Sequence, residues 1–324
     1  DGGAGSRSMI VCFGSINLDL IFPLPHLPVP GETVLGPTMT IEPGGKGANQ
    51  AVAAARLGAQ VSMLGCVGSD AYGAELRDAL LVEGIDCQAV SRVEGASGVA
   101  LIVVDDQSQN AIVIVAGANG ALTPTLIDRF DPVLQAAQVV ICQLEVPDAT
   151  VGHVLQRARA LGKTVILNPA PASRPLPAHW YACIDYLIPN ESEASALSSL
   201  PVDSRETAET AASRLIAMGT GKVIITLGAQ GALFADGQAI YARRGVVLAC
   251  GGFPHDRQRI SQLMPHAPDG DQHYSAAPRE NSGDGLRLGE QAGGQVSAAG
   301  AHGAPGRRYR RCREATAASA ISRT

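Results

Sequence analysis

The sequence predicts an α/β protein: a three-layer α/β/α domain around a mostly parallel sheet, with a small β-sheet lid. Three observations carry this expectation. From residue 123 to 227 apolar strand-like runs alternate with helical stretches, and strands this apolar in that rhythm mean a parallel sheet covered on both faces. Runs rich in β-branched and aliphatic residues at 16–22, 33–42, 98–104 and 111–116 supply the strands of a second, smaller sheet. Between them, Pro43-Gly44-Gly45-Lys46-Gly47-Ala48-Asn49-Gln50 opens an Ala-rich stretch that stops at Gly58, a tight turn feeding a helix.

Taken in order, residues 1–8 (DGGAGSRS) read as a linker or tag remnant, and residues 10–14 as a short buried strand. In the next run Asn17 and Asp19 alternate with Ile16, Leu18 and Leu20, which puts both polar side chains on one strand face. A solvated face explains that most cheaply; two short groups gripping hydroxyls is the other reading. Pro23, Pro25, Pro28 and Pro30 stiffen an extended loop, after which 33–42 alternates as a strand leading into the glycine turn. A strand over 61–67 follows the first helix, and Asp70 caps a helix ending at Gly84. Asp105 to Asn110 has the composition of a hairpin turn. Thr123-Pro124 starts a helix, 139–144 is a strand, and Asp148 caps a helix ending at Gly162. Strands at 164–168 and 184–189, a helix over 206–218 stopped by Gly219, and a strand at 222–227 running into Gly228-Ala229-Gln230-Gly231 complete the pattern.

The 324 residues are 46% hydrophobic, ample for a core, and their length allows one large domain or two ordinary ones. A net charge of −5 gives no basic footprint for nucleic acid. No apolar run reaches the length of a membrane span. The seven cysteines are scattered, without a C-x-x-C pair. They read as buried free thiols of a cytoplasmic protein, and the histidines show no ligand spacing.

The glycine turn carries the chemistry. A turn of this kind exposes unpaired N–H groups at the positive end of a helix dipole, a setting for a polyhydroxylated or anionic small molecule. Lys46 adds a charge and Asn49 an amide; the chain holds only three lysines, so one wedged between glycines is not there for packing. The turn is not a Walker A loop, because Gly47 follows Lys46. It is not a dinucleotide fingerprint either, because Gln50 stands at the third glycine. A parallel sheet binds ligands at the C-terminal ends of its strands, which makes Glu145, Asn168, Asn190, Glu193, Thr226 and Gly228 candidates. Each has a plainer reading: Glu145 a solvated strand end, Asn190 a helix cap, Glu193 the third residue of a capping box.

Gly14-Ser15-Ile16-Asn17-Leu18-Asp19, the stretch from Gly44 to Leu57, Gly117-Ala118-Asn119, Gln143-Leu144-Glu145, Asn168-Pro169-Ala170-Pro171-Ala172, Pro189-Asn190-Glu191-Ser192-Glu193 and Thr226-Leu227-Gly228-Ala229-Gln230-Gly231 together resemble the ribokinase group of the phosphofructokinase-B sugar kinase family. They come in that family's order, and the resemblance covers about residues 9–247. It implies a ribokinase-like domain over 9–248, with a lid from about 16–43 and 96–117, that phosphorylates the primary hydroxyl of ribose with ATP. By the same resemblance, Asn17, Asp19, Gly45, Lys46, Asn49 and Glu145 match sugar-contacting positions. Asn190, Glu193, Thr226, Gly228 and Gly231 match the nucleotide and phosphate motifs, with Glu193 holding Mg2+ indirectly. A homodimer joined through the lid and a monovalent cation (K+) are implied as well. Fructose or a nucleoside as the acceptor, and a nicotinamide oxidoreductase on a similar sheet, are the rival readings.

The family's Asp-Thr-x-x-Ala/Gly-Gly-Asp motif has no counterpart. Its last Asp takes the hydroxyl proton, its glycines open a helix toward the transferring phosphoryl, and its first part helps place the cation. The region after the nucleotide loop reads Ala249-Cys250-Gly251-Gly252-Phe253-Pro254-His255-Asp256 instead. Ser282-Gly283-Asp284-Gly285 is a late echo, so no catalytic base is assigned. Residues 249–324 are an atypical tail rich in Gly, Pro, Arg and Ala, too poor in large aliphatics to offset ordering entropy. They read as a disordered, alternative or frame-shifted ending in place of the family's last elements. The corresponding expectation is a catalytically impaired sugar- or nucleotide-binding remnant.

Overall fold

The computed structural model describes residues 9–107 and 109–236. Residues 1–8, the tail at 249–324 and the late Asp284 echo lie outside the described residues. In chain order the elements are β1 (Met9–Phe13), β2 (Asn17–Leu24), β3 (Thr40–Gly44), α1 (Lys46–Arg56), β4 (Gln60–Gly68), α2 (Ala71–Val82), β5 (Val90–Val93), β6 (Gly98–Asp105) and β7 (Asn110–Val115). There follow α3 (Pro124–Asp128), α4 (Asp131–Ala136), β8 (Val139–Cys142), α5 (Asp148–Ala160), β9 (Thr164–Leu167), α6 (Ala178–Tyr181), β10 (Tyr186–Leu187), α7 (Glu191–Ser198), α8 (Arg205–Ala217), β11 (Lys222–Thr226) and β12 (Ala232–Ala235).

The main sheet has the order β12-β11-β10-β9-β8-β1-β4-β5. All neighbours are parallel except β11 and β12. The period-2 alternation of β1 feeds both faces: Val11 and Phe13 enter one core, Cys12 the other. On one face, α1 and α2 contribute Ala48, Ala51, Leu76 and Leu80 against Met63 and Val67. On the other, α5, α7 and α8 contribute Val154, Leu155, Leu197 and Leu215 against Val140 and Val223. This is the expected three-layer arrangement. Because β1 lies between β4 and β8, the winding runs outward in both directions from it. The crevice between the C-terminal ends of β1 and β8 is therefore a topological switch point, where open α/β sheets bind ligands.

The second sheet, β3-β2-β6-β7, is the expected lid. Its second predicted strand, 33–42, is shorter than expected: pairing begins only at Thr40. Pro37, next to Gly36, has no N–H to give to a ladder. Asp70 and Thr123 cap their helices through Gly73 N–H and Leu126 N–H. Asp148 does not: Pro147 stands at the cap of α5, and Asp148, in the first turn, pairs with Arg174 at 3.0 Å. The helix expected after Thr123 divides at Phe130, with Pro132 in the first turn of α4. The short strands β5 and β12 and helix α6 carried no periodic pattern long enough to read.

Cys12, Cys66, Cys87, Cys142 and Cys183 are free and buried. Burial pushes the Cys12 thiol up to about 12. Among the described residues no helix is long and apolar enough to cross a membrane, and no three His, Cys, Asp or Glu side chains gather as a metal cage.

Candidate active site

Two strand ends meet across the switch point. Ser15 follows β1 and Glu145 follows β8, and Ser15 Oγ donates to Glu145 Oε2 at 2.6 Å. The Glu145 side chain is only 6% exposed, and its Oε1 lies 3.6 Å from Lys46 Nζ. The same two residues cap α1 from a distance. Lys46 N–H donates to Glu145 Oε2 at 3.2 Å, Gly47 N–H to Ser15 Oγ at 3.4 Å, and Ala48 N–H to the Ser15 carbonyl at 3.0 Å. Gly45, at φ 93°, provides the turn and no side-chain cap. The open N–H groups expected at this helix start are thus already occupied, and Glu145 is a buried member of the site rather than a solvated strand end. A carboxylate at the positive end of the dipole also offsets Lys46, whose charge there is unfavourable to the helix. The Lys46 ammonium is partly exposed, and the Asn49 side chain is exposed with no hydrogen-bond partner among the described residues.

The approach of α1 to β1 demands small residues. A Cβ on Gly47 would lie 2.7 Å from the Gly14 carbonyl carbon, and one on Gly44 would collide with the Asp19 carboxylate. Asn17 is buried, which overturns the solvated-face reading for that position. Asp19 is half-buried and has no hydrogen-bond partner among the described residues. Burial, reinforced by the charges of Glu145 and Glu42 and opposed by Lys46, pushes its carboxyl up to about 6.

Further along the same sheet edge, Asn190 and Glu193 form the capping box of α7. Asn190 Oδ1 accepts from Glu193 N–H at 2.8 Å, and Asn190 N–H donates to Glu193 Oε2 at 2.9 Å. Burial raises the Glu193 carboxyl; the Asn190 N–H and the charge of Lys46 oppose the shift. Thr226 bridges to Asn190 and donates its N–H to the Pro189 carbonyl at 3.0 Å. Beyond it Gly228 and Gly231 stand at φ 53° and 88°, and no atom of the described residues lies within 4 Å of where a Cβ would be on either. Asn168, at the end of β9, bonds Gln50 of α1 and the Ile188 carbonyl.

Sequence reading passed over four residues of this edge as site members: Ser15, Gln50, Asn119 and Gln143. Gln143 Nε2 donates to Gln50 Oε1 at 2.6 Å, and Gln50 passes the chain to Asn168 at 3.2 Å. The signal was present for Gln143, a fully buried amide at the end of an apolar strand. A cavity of about 400 Å³, lined in part by Leu144, Asp148, Arg174 and Trp180, includes none of the candidate sugar or nucleotide residues in its lining.

Residues 7–246 match the sequence pattern described as pfkB family carbohydrate kinase. The chain belongs to that family. This kinase is 40% identical to a ribokinase of Haemophilus influenzae over 226 residues, 69% of this chain and 74% of that protein. It is 41% identical to a deoxyribokinase of Salmonella typhi over the same shares. The structure of an Arabidopsis thaliana ribokinase complexed with ribose and ATP superposes with a TM-score of 0.68 at 27% identity, covering 87% of this chain and 89% of that one. The kinase is thus a ribokinase-type phosphotransferase of an ATP-dependent family, on a ribokinase-like fold. Residues 199–305 also match a pattern described as FAD binding domain. The described part of that stretch is α8, β11 and β12 of the main sheet, which the carbohydrate-kinase match also covers.

Proposed function

We propose that the chain binds D-ribose in the crevice between β1 and β8 and directs its primary hydroxyl to the γ-phosphoryl of ATP, giving ribose 5-phosphate. The observation that supports this most directly is the Ser15–Glu145–Lys46 cluster together with an Asp19 carboxylate and an Asn49 amide that have no hydrogen-bond partner among the described residues. Asp19 and Glu145 accept from sugar hydroxyls, while Asn17, Asn49 and Lys46 donate. Gly45 lets the backbone come close. A neutral polyol needs such a mixed set, whereas an anionic substrate would be repelled by two carboxylates.

Asn190, Thr226, Gly228 and Gly231 fit the nucleotide: two bare glycine Cα atoms at positive φ let phosphate oxygens approach the backbone. Mg2+ bound with ATP neutralises charge as the phosphoryl group transfers. Glu193 already gives Oε2 to its helix cap and is buried, and among the described residues no three-carboxylate cage surrounds it. It fits an indirect hold on the metal through water, not direct ligation. The lid excludes water that would compete for the phosphoryl group. Its edge strand β7, exposed along its whole length, is the surface through which two copies would pair.

A second reading, sugar binding with impaired turnover, is favoured by the absence of the family's Asp motif in 249–259. One experiment separates the two: titrate ribose and 2-deoxyribose by calorimetry, then follow ADP release with Mg-ATP. Binding with turnover at an ordinary enzyme rate supports the kinase. Binding with turnover lowered by about 10²–10⁴-fold supports the impaired form. No binding of either sugar overturns both.

A further inference from the structure

We infer that Asn119 is a positioning residue that holds the Asn17 amide with its Nδ2 group toward the crevice, so that Asn17 meets its ligand as a donor. The inference rests on reading the crevice as a sugar site, but the orientation follows from the protein alone. Asn119 stands on a tight turn that Gly117, at φ 50°, makes against Ser97. Both residues are buried, Asn17 at 3% and Asn119 at 1%.

Amide oxygen and nitrogen look alike, so the assignment must come from partners that have no choice. Ile16 supplies two. Its N–H can only donate, and it meets Asn119 Oδ1 at 2.9 Å; its carbonyl can only accept, and it meets Asn119 Nδ2 at 3.2 Å. That fixes Asn119. The same Nδ2 lies 2.7 Å from the Asn17 side chain, so the Asn17 atom there must be the acceptor Oδ1. Gly98, paired in register with Asn17 on β6, leaves room for this contact: a Cβ there would collide with Asn119 Nδ2 and Asn17 Oδ1. Asn17 Nδ2 is left without a partner among the described residues. It is not sealed in, since Gln143 Oε1 and Thr220 Oγ1 are the buried side-chain polar atoms that lack one among the described residues.

Asn119→Asp keeps the acceptor for Ile16 N–H and removes the donor to Asn17, so the Asn17 amide should turn over and present its oxygen to the crevice. Two readouts test this. In side-chain amide NMR, the Asn119 Nδ2 protons of the wild type should exchange slowly with solvent and those of Asn17 quickly; in Asn119→Asp the Asn17 protons should become protected. Asn17 protons as protected as those of Asn119 in the wild type would overturn the orientation. In ribose titrations, Asn17→Ala and Asn119→Asp should each weaken binding roughly three- to tenfold, and the double variant no more than Asn17→Ala alone. Additive losses would mean that Asn119 acts on the fold rather than through Asn17, which overturns the positioning role. If Asn119→Asp does not fold, Asn119→Ser takes its place in the cycle with the same two outcomes. A wild type that binds no ribose counts against the sugar-site reading, and the exchange readout then decides the orientation by itself.

Discussion

At the scale of single residues, the crevice works by leaving some polar groups satisfied and others not. Ser15 Oγ and Glu145 Oε2 serve the start of α1, whereas Glu145 Oε1 meets only Lys46 Nζ, at 3.6 Å, and the Asp19 and Asn49 side chains have no hydrogen-bond partner among the described residues. Asp19 is the member whose charge is least at home, with its carboxyl pushed up to about 6 by burial, then by Glu145 and Glu42. The sign follows from the raised value. The folded protein holds this proton more tightly than the unfolded chain, so its contribution to stability is complete below the ordinary Asp value and is lost as pH rises through about 6. A sugar hydroxyl donating to the carboxylate favours the ionised form and draws the value down. Ribose affinity should therefore rise as pH passes through about 6 and level off above it, in calorimetric titrations across that range. Asp19→Asn should lower affinity roughly ten- to hundredfold at pH 8, the worth of a hydrogen bond to a charged group, and flatten the pH dependence. A pH-independent wild type would remove Asp19 from the sugar contacts.

At the scale of elements, two helix starts at one sheet edge are built differently. α7 carries its own cap: Asn190 and Glu193 are three residues apart and serve each other. α1 has none, so its first N–H groups depend on Ser15, 32 residues away from Gly47, and on Glu145, 99 residues from Lys46. A local cap can be read from spacing; a remote one cannot, because no sequence interval announces it. The open helix start expected from the glycines was mistaken for this reason. The α7 cap also gives a test of Glu193. Glu193→Gln keeps an oxygen for Asn190 N–H, so thermal unfolding should shift little. Mg-ATP affinity should fall while ribose affinity holds. A drop in thermal stability with unchanged Mg-ATP affinity would make Glu193 a capping residue and nothing more.

At the scale of the whole molecule, the lid has a surface that water does not suit. Ile112, Val113, Ile114 and Val115 of β7 are 46–60% exposed, with Ile41 at 44% on β3. An exposed apolar edge strand is a template for pairing with another chain. The expected outcome is a homodimer at micromolar concentration in sedimentation, with Val113→Lys or Ile114→Lys shifting it toward monomer. A wild type that stays monomeric at the highest soluble concentration would rule out pairing through the lid.

What the sequence determined by itself is whatever depends on neighbours along the chain. The alternation of apolar strands and helices was enough for the layered parallel sheet, because a strand covered on both faces must be apolar along its length. The caps at Asp70, Thr123 and Asn190 were legible because a cap and its partner lie within one turn. The tertiary structure alone decided what polar residues do once strands are placed side by side. Nothing in the order of residues says that Asn17 is hydrogen-bonded by Asn119, that Glu145 closes on Ser15, or that Asp19 lies against Gly44 and feels the charges of Glu145 and Glu42. Those contacts follow from the position of β1 between β4 and β8, with the crevice beside it. Hydrogen bonds and charges act over a few ångströms of space, whatever the length of chain between them.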